Sequence, residues 1–374
     1  MKRRNILLLT LAVYALGEGV PLFAWDGAFF DLFQVPFSAR EAALGGNHAA
    51  QADDISTLQS NPAGFRSVDP DLSFGTINVS AYNWSNGPGG GSRTTLDLFG
   101  PLCIAYVGNG LGFGLFTDSN FYTRTSESYP DPGANSQATE NLVAIAGYAF
   151  RIPLPDDWQS TLDVGFSVPI FLAARSTING IDARGLLTSS FTVNDFVIGQ
   201  AFTTAVGLSA EIGVLYVWDK TFSVGIAGRN LAITSSKTYA TLRDYEQGAS
   251  PDTTDTSTLP MDISIGVRWN PPMKMLTTYI DGFAVMADYN DMFDFLIYPH
   301  LARNPLLHFG LGVEFTLLKV VKLRAGFYQL LPSGGLSIDL SFVTIDVAVF
   351  GREMSTQPWT TPVYGYMAGI RFHT

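Results

Sequence analysis

The sequence predicts an all-β fold: a transmembrane antiparallel β-barrel of about 14 strands, with a small N-terminal helical hatch in its lumen. Three observations predict it. The first is the C-terminal stretch, where Tyr364, Tyr366, Ala368, Ile370 and Phe372 fall on one side of an extended strand. Gly365, Met367, Gly369 and Arg371 fall on the other. This is apolar-out, small-or-polar-in alternation with period two, and an aromatic so close to the end is what the closing strand of a bacterial outer-membrane barrel looks like. The second is composition. The chain has 37 Gly, 13% aromatic and only 15% charged residues, against about 25% charged in soluble domains. Its mean hydropathy is nevertheless only +0.18, as expected when half of each strand faces lipid and half a polar lumen. The third is an export signal at the N-terminus.

That signal is the basic Met1-Lys-Arg-Arg-Asn5 followed by the apolar Ile6 to Leu16, too short a run to span a bilayer as a helix. Cleavage near Ala24 is expected. It leaves 19 basic and 32 acidic residues and moves the net charge from −11 to −13. An acidic chain is a poor partner for nucleic acid. The single Cys103 excludes an intramolecular disulfide framework.

Residues 25–68 do not alternate and read as the hatch. Ser38-Ala-Arg-Glu41 is a capping box, in which the serine hydroxyl and the glutamate carboxylate each satisfy a backbone N–H. Gly45 and Gly46 end that helix. Asp53 and Asp54 cap a second short helix; the alternative is a cation site. Asn61-Pro62-Ala63-Gly64 fixes the segment to the start of the barrel, or is an ordinary helix-stop turn. A segment this short does not fold alone, yet it carries Phe29, Phe30, Leu32, Phe33 and Phe37. The barrel lumen is where it can bury them.

Residues 69–374 read as the barrel, about 22 residues for each strand and its connection. Leu162 to Ile170, Leu208 to Trp218, Asp262 to Trp269, His308 to Phe315, Lys322 to Phe327 and Val343 to Val349 alternate cleanly. Less regular segments lie near 72–84, 95–107, 111–124, 139–151, 221–233, 276–289 and 335–341. Each approaches the ~9–11 residues of a tilted membrane strand. Stretches 127–138, 176–198 and 239–258 read as outer loops.

The alternation points Asp163, Glu211, Asp262, Glu314, Asp339 and Asp346 into the lumen, facing Arg229, Arg268, Lys322, Arg324 and Arg371. A nearly balanced set suits a plug held by ion pairs, or a solvated water channel, rather than a pore selective for one sign. Gly100, Pro101 and Pro169 interrupt strand patterns, since proline cannot donate to the ladder. They are candidate wall kinks, or local bulges. No histidine shows metal-ligand spacing, and no nucleophile elbow or paired-carboxylate motif occurs. No catalytic residue, metal or cofactor is expected.

Phe37-Ser-Ala-Arg-Glu-Ala-Ala-Leu-Gly-Gly46, Ala52-Asp-Asp-Ile-Ser-Thr-Leu58 and Asn61-Pro-Ala-Gly64, ahead of a fourteen-stranded pattern, resemble the N-terminal signature of the FadL-like outer-membrane proteins. That group includes long-chain fatty acid transporters, PorV-type secretion proteins and a spirochaetal branch. The resemblance covers about residues 35–374. It implies a monomer in the outer membrane of a diderm bacterium, in contact with outer-membrane lipid. Such a protein takes up long-chain fatty acids or similar hydrophobic molecules passively, through a plugged barrel with lateral release into the membrane. The alternative is a PorV-like component of protein secretion, or a surface adhesin displaying its loops.

Overall fold

The computed structural model of the chain describes residues 38–85, 92–125, 133–182, 199–258, 261–272, 280–297, 299 and 302–373. The expected signal sequence and Phe29, Phe30, Leu32, Phe33 and Phe37 fall outside these residues. The strands are β1 (Asp71–Ser85), β2 (Ser92–Gly108), β3 (Leu111–Thr125), β4 (Gly133–Ile152), β5 (Ser160–Asp182), β6 (Ala201–Trp218), β7 (Phe222–Tyr239), β8 (Thr253–Thr258), β9 (Asp262–Trp269), β10 (Ile280–Tyr289), β11 (Phe309–Leu317), β12 (Val321–Tyr328), β13 (Leu331–Leu340), β14 (Val343–Glu353) and β15 (Pro362–His373). All neighbours are antiparallel, β1 pairs with β15, and β6 pairs with β7, so the sheet closes on itself.

Closure follows from the requirement that no ladder edge face lipid. Two of the fifteen segments share one position. Thr258 lies opposite Ile233 and Asp262 opposite Arg229, in one continuous register along β7. β8 and β9 are therefore one interrupted strand, and the ring has fourteen positions.

One end of the barrel has short turns, such as Asn109–Gly110, Asp219–Lys220 and Leu318–Lys319, several with non-glycine residues at positive φ. The other end carries the longer connections. The outward positions form an apolar band, with Phe166, Val168, Ile170 and Leu172 exposed along β5 and Leu323 and Phe327 along β12. Aromatics gather near the turn end. Tyr106 stacks on Phe113 at 5.6 Å, Tyr148 meets Phe166 edge-on at 6.4 Å, and Trp218 and Trp269 stand exposed nearby. That is the girdle of a membrane barrel. No described helix is long and apolar enough to cross a membrane.

The wall is uneven in height. β5 has 23 residues and β4 has 20, whereas β12 and β9 have 8 each. Strand therefore extends into stretches expected as outer loops. β4 begins at Gly133, β5 continues to Asp182, and 239–258 contains both helix α2 (Leu242–Glu246) and β8. The physical reason is that strand above the lipid has no apolar face. Thr253-Thr-Asp-Thr-Ser-Thr258 is polar on both sides, so the period-two signal vanishes while the ladder continues.

Candidate functional site

The inner face of the barrel holds residues 38–68. Helix α1 (Ala39–Ala43) packs on β12 to β15, and the 3₁₀ turn Pro62–Arg66 packs on β2 to β6. Ser38 caps α1 by accepting the Glu41 N–H at 3.1 Å. Gly45 and Gly46, both at φ +72°, end it, in the left-handed region glycine favours. Gly45 is required twice over, because a Cβ there would strike the carbonyls of Leu311 and Phe327.

The wall meets this segment with glycines. A Cβ on Gly165 would strike the Pro62 carbonyl, on Gly213 the Asn61 side chain, and on Gly225 the Ala49 carbonyl. A Cβ on Gly112 or Gly147 would come within 2.6 Å of the Phe65 ring, and on Gly326 within 2.6 Å of the Gly45 nitrogen. These are inward positions on six different strands, so the segment rests directly on the wall's backbone around much of the lumen. The alternation set Gly165, Gly213 and Gly326 opposite the apolar outward residues. It did not show that they form a seat.

Polar anchors fix the segment. Asn61 accepts the Ala63 N–H at 3.0 Å and caps the 3₁₀ turn, while its amide donates to the carbonyls of Ala49 at 2.6 Å and Val214 at 3.3 Å. Its wall contact is to β6 rather than to the start of the barrel, and it opens a turn rather than only stopping a helix. Pro62, Ala63 and Gly64 are buried behind it. Asp288 accepts the N–H groups of His48 and Ala49, each at 2.7 Å. Ser67 donates to Asp163 at 2.7 Å, and Arg151 pairs with the same carboxylate at 2.7 Å.

The two aspartates divide their roles. Asp54 is the cap, accepting the Ser56 N–H at 2.8 Å. Asp53 is not a cap. It pairs with Arg40 at 2.7 Å and with Arg268 of β9. Helix-start spacing cannot separate two adjacent carboxylates; the arginines that surround them do. Arg40 also reaches Asp54 and Glu314, each at 2.9 Å. Glu314 in turn binds Arg324 at 2.7 Å, and Arg324 binds Asp346 at 2.9 Å. Lys322 pairs with Asp339 at 2.7 Å, Arg229 with Asp262, and Glu211 accepts from Ser167 at 2.7 Å. Arg371, at the turn end of β15, acts on Asp54 through its charge. A cavity of about 410 Å³ opens beside this network, between Arg268, Pro272, Ile280 and Glu314.

The lumen is thus divided. β9 to β14 present charge, which the segment meets with Arg40, Asp53 and Asp54. β2 to β5 present an apolar surface of Cys103, Val107, Phe116, Val143, Ile145 and Phe171, which it meets with Ile55, Leu58 and Phe65. Arg40 and Asp288 were not singled out from sequence. Asp288 had a signal, because it alternates with the buried Ala284 and Met286. Arg40 had none, since α1 is too short to define a face.

Burial opposes the charge of Asp54, but Arg40 and Arg371 outweigh it and hold its carboxyl down at about 2. Burial likewise opposes ionisation of Asp53, and Arg268 and Arg40 hold it well below the usual range. Burial, with the nearby Arg229 charge, pushes His48 down to about 4. The signs agree. An undocked His48 takes up a proton near pH 6.5, so docking weakens as pH falls from there to about 4. The aspartate contribution is full above about pH 4 and is lost toward pH 2. The loss of amide protection at residues 42–49 between about pH 7 and about pH 4 is expected to be smaller in His48→Gln than in the wild type. Equal pH dependence in the two would contradict the His48 contribution.

The candidate kinks coincide with breaks in the ladders. Between Phe99 and Cys103, which brackets Gly100 and Pro101, β2 carries two more residues than β3 does between Asp118 and Phe116. Register also shifts between Phe74 and Ile77 of β1 against β15. Pro169 pairs with Ile145 of β4, but its ladder to β6 is unpaired between Ser167 and Ile170.

No protein-family model matches the chain, and no curated protein matches it. Solved structures do. The Pseudomonas putida toluene transporter TodX superposes with a TM-score of 0.52 at 13% identity, covering 90% of this chain and 97% of that one. The monoaromatic hydrocarbon channel CymD gives 0.48 at 13%, covering 89% and 96%. A Pseudomonas aeruginosa FadL homologue gives 0.41 at 12%, covering 89% and 97%. At such identity the likeness is one of fold, and TodX carries it. The closed fourteen-position ring and this superposition together give the chain the β-barrel fold of TodX.

Proposed function

We propose that this protein is a passive outer-membrane channel for hydrophobic molecules, long-chain fatty acids or similar, that works as a monomer. Residues 38–68 are its plug, and cargo leaves sideways through the wall at Gly100–Pro101. The observation that supports this best is the divided lumen. Its contiguous apolar sector lies on β2 to β5, and the ladders of β1, β2 and β3 break on that same side. An apolar cargo gains about 0.8 kcal/mol per buried methylene, so partition alone drives it from the lumen into lipid. The charged sector serves to hold the plug. The superposed structures, described as transporters and channels for toluene and monoaromatic hydrocarbons, support the same class of cargo.

Transfer of labelled oleate, and in parallel toluene, into liposomes with and without the protein tests the reading. Faster transfer with protein is expected; equal rates would sink it. The exit is tested separately. Deleting Gly100 and Pro101 removes two of the three residues, 100 to 102, that β2 sets opposite Thr117 of β3. The ladder to β3 should become regular, the barrel should still shift on unboiled gels, and oleate transfer should fall at least several-fold. Unchanged transfer would place the exit elsewhere.

A further inference from the structure

β11, β12 and β13 have 9, 8 and 10 residues, and β12 turns into β13 through only Gln329 and Leu330. At about 3.3 Å per residue and a tilt near 40°, eight residues rise only ~20 Å. The lipid-facing band of such barrels is about 25 Å tall. By this measure β12 and, at nine residues, β11 end below the top of the hydrocarbon, and what lies above them must face lipid.

What lies above them is not strand. It is helix α3 (Asp294–Ile297), the turn Pro305–His308 and the connection from Met354 to Thr361. Irregular backbone survives at membrane depth only where its polar groups are satisfied internally. Here they are. The Glu353 side chain is 1% exposed and accepts the N–H of Thr361 at 2.7 Å, the N–H of Ser355 at 3.1 Å and the Ser355 hydroxyl at 2.8 Å. Arg303 donates to the carbonyls of Glu353 and Ser355. The Asn304 N–H donates to the Thr356 carbonyl at 2.9 Å, and the Met354 N–H to the Thr361 carbonyl at 3.0 Å. Asp294 accepts the Arg303 N–H at 2.9 Å and meets His308 at 3.1 Å.

Large apolar side chains stand out from the same cap. Phe295, Leu296, Leu306 and Trp359 are 57%, 66%, 51% and 68% exposed. They continue upward the lipid band that Phe309, Phe327 and Tyr366 end below them. Trp359 sits at φ +57°, a conformation costly for a bulky residue, at the tip of the connection.

From this we infer that the loop cap above β10 to β14 is a lipid-facing part of the wall. Phe295, Leu296, Leu306 and Trp359 insert at the boundary between headgroups and acyl chains of the bilayer's outer leaflet. The cap replaces the missing tops of β11 and β12. The opposite side, with its long β4 and β5, stands clear of the lipid and carries polar residues instead. The inference does not depend on what the barrel transports.

Spin labels test it in liposomes. Leu296→Cys and Trp359→Cys are made in a Cys103→Ala background, with Gln247→Cys, just past α2, as the reference above the long strands. Labels at 296 and 359 should be more accessible to oxygen than to a water-soluble nickel complex, and the label at 247 the reverse. If 296 and 359 match 247, the cap stands in water and the inference fails. Should a cysteine variant not assemble, the unlabelled protein and Trp359→Phe are compared in vesicles of brominated phosphatidylcholine. A quenched component that disappears with Trp359 supports the inference. Equal quenching in both proteins overturns it.

Discussion

A chain lacking residues 26–60 is expected to assemble as a barrel and to leak small hydrophilic solutes. The strands pair with one another through their own backbone, and β1 begins at Asp71, so closure does not need the deleted segment. The lumen does. Deletion removes α1 with its ion pairs to Glu314 and the Ala49 carbonyl that rests on Gly225. It leaves Phe65 and the turn Pro62–Arg66 against β4 and β5. A fourteen-position barrel emptied of its contents is wide enough for water and ions, as larger porins are. Planar-bilayer recordings should show steady conductance in the deleted protein and little in the full chain. A deleted protein that assembles and conducts no more than the full chain would mean that residues 38–60 do not close the pore.

The second large effect is expected at Arg40. Its side chain is 12% exposed and joins two hatch carboxylates to Glu314, itself 8% exposed. Removing one partner of an isolated buried pair costs about 3–5 kcal/mol, but Arg268 still meets Asp53 and Arg324 still meets Glu314, so the loss here should be smaller. Arg40→Met should therefore weaken docking by about tenfold to a hundredfold, since ~1.4 kcal/mol is tenfold. Burial acts against the guanidinium charge, but Asp53, Glu314 and Asp54 hold its pKa well above the ordinary arginine value. Charge alone is not the whole of it. Arg40 reaches Glu314 through both Nε and Nη2, a fork that an ammonium cannot reproduce. Arg40→Lys should fall between wild type and Arg40→Met. Hydrogen exchange at residues 39–46 reads all three. Equal protection in wild type and Arg40→Met would show that the glycine seat, not the ion network, holds the segment.

The architecture was legible because a membrane barrel writes itself into period two. Lipid selects apolar residues at every outward position, so fourteen segments and the inward direction of Asp163, Glu211, Glu314 and Arg324 could be read directly. The cap Ser38, the cap within the Asp53–Asp54 pair and the stop at Gly45–Gly46 were legible because their chemistry is local; Asn61 as a cap was not read. The uneven height of the wall was not. Strand that rises clear of lipid loses its apolar face, and 176–182 and 253–258 read as loop. Nor was the partner of any charge. Period two gives direction but not distance, so only the closed barrel brings Arg40 to Glu314 across 274 residues of sequence, sets Asp288 under the His48 and Ala49 amides, and puts the Pro62 carbonyl against Gly165. The sequence by itself determined which residues face lipid and which face the lumen. The tertiary structure alone decided which inward residues meet the N-terminal segment, because that depends on how strands far apart in the chain are staggered around the ring.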